Sequence, residues 1–103
     1  MKIIEKLSNY IEEEVKDAHK YAKCALEYKD DYSDLSKLFY VLSTEEMSHM
    51  DRLHKAVVEL IEEHRREKGE PPASMLAVYE YLHNKHIDEA ANVRTMLQMY
   101  KEQ

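Results

Sequence analysis

The one glycine and both prolines of this chain fall within a single stretch of four residues, Gly69-Glu70-Pro71-Pro72. Glycine and proline are the residues that most readily interrupt helices and build tight turns. Average sequences carry roughly 7% Gly and 5% Pro. A chain with none of either outside this stretch has no material for the closely spaced turns of a β-sandwich or for a Gly-rich phosphate loop. Its 44% hydrophobic content also excludes a disordered tail. At 103 residues it fits one domain, 1–103, and the expectation is an all-α fold of few, long helices.

Two polar breaks set the helix boundaries. In Lys29-Asp30-Asp31-Tyr32-Ser33-Asp34, Ser33 or Asp31 can accept hydrogen bonds from the free N–H groups of a new helix. In the second break, Gly69 suits the position just past a helix end and the prolines follow it. His64, Arg65, Arg66 and Lys68 precede it, placing positive charge at the negative end of the helix dipole. These signals predict helices over about 3–29 and 34–68 and a third stretch over about 73–101, with Asn84 as its candidate break. The first two form a long antiparallel hairpin over about 3–68, and 73–101 is a C-terminal helical segment.

Both hairpin helices carry a stripe that steps by three or four residues. In the first it runs Ile4, Leu7, Ile11, Glu14, Ala18, Tyr21, Ala25, Tyr28; in the second, Leu35, Phe39, Leu42, Glu46, His49, Leu53, Val57, Leu60. Each apolar stripe is interrupted near its middle by ionisable groups. Glu14 lies roughly 30° from the centre of its stripe, Glu46 roughly 15° and His49 roughly 45°, whereas Glu13 and Glu45 fall roughly 130° and 85° away. With the turn centred near residue 31, all three selected groups sit roughly 22–27 Å from it on antiparallel neighbours. They share one level of one interface.

A buried ionised carboxylate is costly, and a bound cation is one of the few things that offsets it. Glu46-x-x-His49 puts a carboxylate and an imidazole on one helical face, a donor pair suited to iron or manganese, with zinc also accepted. The spacing alone discriminates little, because Glu80-x-x-His83 repeats it. Position in the stripe and the level shared with Glu14 single out the first pair.

Glu14, Tyr21, Phe39 and Glu46-x-x-His49 together resemble the first half of a ferritin-like di-iron carboxylate protein such as ferritin or rubrerythrin. In that superfamily one helix gives a Glu and the next gives Glu-x-x-His, and a second such set completes the site. The chain has one full set, since Glu80 and Glu89 fall roughly 100° and 80° from the apolar centre of the third segment. The resemblance is to the half-ferritin plan of the encapsulated ferritins. It implies a ferritin-like four-helix bundle formed by homodimerisation, with two iron ions per dimer interface held by Glu14, Glu46 and His49 of each copy. It further implies that these three residues carry an Fe(II)-oxidising reaction using oxygen or peroxide. Tyr21 would hydrogen-bond a metal ligand.

Other function classes have less to stand on. A net charge of −6 argues against nucleic acid. No apolar run approaches a membrane span, and the N-terminal stretch MKIIEKLSNY carries acid too early for a signal peptide. The lone Cys24 fits a reducing compartment, so the cytoplasm is expected. Two rival readings use the same helices differently: a metal-free adaptor whose third segment docks on a partner, and a bundle that binds zinc without turnover. Tyr28 and the methionines read as core or packing residues, and His19, His54 and His64 as surface or helix-end residues. His83 and His86 read as satisfied interface histidines, or else as a second metal site.

Overall fold

The structure, a computed structural model, describes residues 2–102 and consists of three helices: α1 (Lys2–Glu27), α2 (Ser33–Lys68) and α3 (Ala73–Glu102). Met1 and Gln103, the ends of the domain expected from the sequence, lie outside the described residues. Helix α3 continues through Asn84 without a break, because the Asn side chain points to a helix surface where its modest propensity cost is tolerated. At the first break, Tyr32 occupies the cap position of α2 and makes no side-chain cap bond, so neither Ser33 nor Asp31 serves as the cap. The second break behaves as its residues dictate. Gly69 adopts φ +82°, a conformation that any side chain would strain, and its N–H donates to the Arg65 carbonyl at 3.1 Å.

The buried stripes alternate steps of four and three throughout. In α1 they are Ile4, Ser8, Ile11, Val15, Ala18, Ala22 and Ala25. In α2 buried Ser36, Ser43, Met47, Met50, Val57 and Ile61 fall in the same rhythm, with half-buried Tyr40 and His54 filling the gaps. In α3 it is Tyr79, His83, His86, Ala90, Val93, Leu97 and Tyr100, fully buried only in the middle. A sustained seven-residue repeat of this kind packs helices nearly parallel to one another, side chains of one filling gaps of the next.

Polar contacts fix the registers. Ser36 Oγ donates to the Ala25 carbonyl, and Ser43 Oγ to the Ala18 carbonyl at 2.7 Å. Small residues on both sides (Ala18, Ala22, Ala25; Ser36, Ser43) bring the α1 and α2 backbones close enough for these bonds. Lys85 on α3 bonds Glu12 at 3.0 Å, and Lys29 Nζ donates to the Tyr100 carbonyl and lies 4.6 Å above the Tyr100 ring. Both pairs join similar depths, so α3 runs parallel to α1 and antiparallel to α2. The rod measures 55 × 19 × 17 Å, its length set by the 36 residues of α2.

Candidate metal centre

The two serine bonds pair residues 25 with 36 and 18 with 43, and one further turn along this register sets Glu14 level with residue 47. Glu46 and His49 flank that level on α2. The structure therefore brings together the three groups that stripe position and depth select: one donor atom from each of Glu14, Glu46 and His49 lies within 4.8 Å of the others. His49 Nδ1 is 3.5 Å from Glu14 Oε2 and 3.9 Å from Glu46 Oε1. Among the described residues this is the only such group of three.

The separations have chemical meaning. They exceed the 2.7–3.2 Å of a well-formed N–H···O bond, and Glu14 Oε2 is buried with no hydrogen-bond partner. Two ligands each about 2.1 Å from a shared cation lie roughly 3–4 Å apart. The donor set fits a borderline divalent cation: one imidazole and two carboxylates, one of which carries the orphaned oxygen. The Glu14 and Glu46 side chains retain 27% and 20% exposure and His49 retains 49%, so the group opens toward solvent on one side.

That open side is the stripe read from the sequence. Leu7, Glu14 and Tyr21 of α1, and Tyr28 just beyond it, are all half-buried rather than buried, as are Phe39, Leu42, Glu46, Leu53 and Leu60 of α2; Leu35 and His49 are exposed. The innermost line of α1 lies one residue further on, at Ser8, Val15 and Ala22, because α3 packs there and turns that line into the core. The Glu14 line points away from α3. Tyr21 stacks on Phe39 with ring centroids 6.2 Å apart, and makes no hydrogen bond to the three donors.

The other ionisable groups sit elsewhere. Glu80 is exposed, and Glu89 is half-buried with Oε2 lacking a partner. His86 is only 7% exposed and its Nε2 has no hydrogen-bond partner, so it is not the satisfied interface histidine expected from the sequence. His54 is not a surface residue either: its ring stacks on His83 at 4.5 Å, and the Tyr79 ring also stacks with His83, at 5.8 Å. Burial lowers the His54 and His86 pKa values below the ordinary imidazole value, for His54 helped by His83. On the opposite flank, the bond from Lys85 lowers the Glu12 carboxyl, and Glu12 in turn raises Lys85. His54 escaped sequence reasoning because its partner is on a helix 29 positions away, although its place in the seven-residue repeat of α2 was a usable signal.

Comparison with known proteins finds no matching family model, no matching curated protein and no matching solved structure. No described helix is long and apolar enough to cross a membrane.

Proposed function

We propose that Glu14, Glu46 and His49 form one half of a carboxylate-rich two-metal centre, completed by the same residues of a second copy, and that the assembled site oxidises Fe(II) with oxygen or peroxide. The observation that carries this reading is the buried, unpartnered Glu14 Oε2 facing an imidazole nitrogen at 3.5 Å in the middle of an otherwise apolar, uncovered face. An orphaned buried carboxylate oxygen destabilises a fold unless something positive meets it. A half-set of ligands on an open face meets its complement when a two-fold axis runs beside it.

In this reading Glu46 and its mate from the second copy would be shared between the two ions, and Glu14 and His49 of each copy would complete the donor set. Two iron ions bound there would supply the electrons that reduce oxygen or peroxide. The chain's part is to hold the donors at one level through the serine-bonded register and to exclude water with Leu42 and Leu53. Phe39 orients the Tyr21 ring beside the site. Manganese or zinc fits the same donors.

The test is metal analysis and iron-edge anomalous scattering on protein loaded with Fe(II), together with oxygen consumption. Two ions per dimer, lost in Glu46→Ala, are expected. Absence of stoichiometric metal, or full retention in Glu46→Ala, overturns the reading in favour of a metal-free module. Zinc bound without Fe(II) oxidation would leave a non-catalytic bundle.

A further inference from the structure

We propose a second metal site, distinct from the first, in which His54 of α2 and His83 and His86 of α3 bind a divalent transition-metal ion and so clamp α3 to the hairpin. A cleft of about 180 Å³ lies between the two helices, and all three histidines line it together with Asp51 and Met50. His83 and His86 are three apart on one helix, the spacing at which side chains stand on the same face. Asp51 and His54 repeat that spacing from α2, so each helix presents a chelating pair to the same space.

The observation that points to a ligand is His86. Its side chain is nine-tenths buried in the wall of the cleft, and its Nε2 is sealed from solvent with no hydrogen-bond partner. A buried imidazole nitrogen left unpaired costs free energy, and coordination would satisfy it. Imidazole is a preferred donor for zinc, nickel, copper and iron. Burial keeps His54 and His86 neutral near pH 7, the form that ligates. Asp51 offers a carboxylate as a fourth ligand; it now lies 4.0 Å from Arg94, an exposed pairing that a dication can outcompete.

His54 and His83 lie face to face at 4.5 Å with 15° between their planes, so ligation by all three histidines requires their ring edges to turn toward His86. Rotation about the Cα–Cβ and Cβ–Cγ bonds of His54 and His83 turns their ring edges into the cleft, which has room for it. The α2–α3 contact is slight beside the α1–α2 contact, so a bond from each helix to one ion adds what this interface lacks.

The experiment uses the full chain carrying Glu14→Gln, Glu46→Gln and His49→Gln, which silences the first site and keeps the two proposals separable. Zn(II) is titrated against a chromophoric chelator, and zinc-edge X-ray absorption counts imidazoles. One ion per chain with an imidazole-dominated spectrum is expected. His83→Gln and His86→Asn should each weaken binding roughly tenfold to hundredfold or more, at least the loss seen when supporting residues of metal sites are removed. Circular dichroism without metal checks that each variant is folded. Should His86→Asn fail to fold, His54→Gln at the rim of the cleft carries the same expectation. No saturable zinc, an oxygen-only spectrum, or an affinity unchanged by His54→Gln and His83→Gln overturns the proposal.

Discussion

Glu14 sits where a carboxylate works against its own fold. One of its oxygens is buried and unpartnered, and the imidazole it faces stands too far off for a hydrogen bond. Removing such a group for an apolar one of similar shape is often neutral or stabilising. Glu14→Met should therefore raise the metal-free protein's unfolding free energy by about 1 kcal/mol, while abolishing stabilisation by Fe(II) or Mn(II). Thermal unfolding of both proteins, with chelator and with metal, checks this; a Glu14→Met protein that is less stable in chelator would make Glu14 a structural residue. His54 and His86 supply a pH dependence of opposite origin. Their folded-state values are depressed below about 6.5, so the unfolded chain binds more protons as pH falls. The stability they contribute is fully present above pH 6.5 and is lost as pH falls from there toward the folded values. Urea midpoints in chelator should drop as pH falls below about 6.5, and the slope should shrink in His54→Gln/His86→Asn; an unchanged slope would assign it to other groups. Glu12, lowered by Lys85, contributes only in a more acidic window, below its ordinary value of 4.5.

At the scale of helices, the neck of small residues decides whether the three donors meet. Ala18 is fully buried, and its carbonyl accepts the Ser43 bond one turn from Glu14. Ala18→Leu would force α1 and α2 apart at this point, costing roughly 1–3 kcal/mol as overpacked cores do. It should also weaken metal binding more than the equally buried but distant Ala25→Leu. Paired unfolding and metal-titration curves separate the two effects, and equal losses of affinity would show that the neck does not set the site. How far this arrangement was legible follows from the same geometry. Three helices, their breaks, and the common level of Glu14, Glu46 and His49 follow from Gly69, the prolines and a rise of 1.5 Å per residue. Which of two adjacent lines on α1 is innermost does not follow. Leu7-Glu14-Tyr21 and Ser8-Val15-Ala22 both flank the Ile4-Ile11-Ala18 line, and the choice depends on where α3 docks. Helix α3 has apolar residues on every side, including exposed Val78, Tyr81, Ile87 and Met99. The apolar centre of the third segment, through Tyr79, Ala90 and Leu97 with His83 and His86 beside it, is nevertheless the line that docks; what periodicity does not give is the part of α2 it meets, and so the pairing of His83 with His54.

As a whole the molecule is a rod with one side of its hairpin left uncovered by α3. Its radius of gyration is 16.4 Å, against about 13 Å for a compact domain of this length. Helix α3 closes one side of the hairpin and leaves the other, where Leu35, Phe39, Leu42, Leu53 and Leu60 surround the donors. A second hairpin laid on this face by a two-fold axis would make a four-helix bundle, with the α3 helices on its outer surfaces and both ligand sets inside. Association through this face would explain why half-buried apolar side chains flank the half-buried Glu14 and Glu46 along it, a pattern a purely solvent-facing surface does not need. The expectation is a dimer by sedimentation velocity, with Leu35→Lys and Leu42→Lys giving folded monomers. Leu35 is 43% exposed in the single chain, so its charge perturbs association far more than folding. If the site is completed by a second copy, Fe(II) oxidation at equal chain concentration should fall at least tenfold in the monomeric variant. Two outcomes would break this link: a wild-type monomer that binds two ions, or a charged variant that stays monomeric and keeps its full oxidation rate. Either would mean that one rod assembles its site alone, and that the open face has another use.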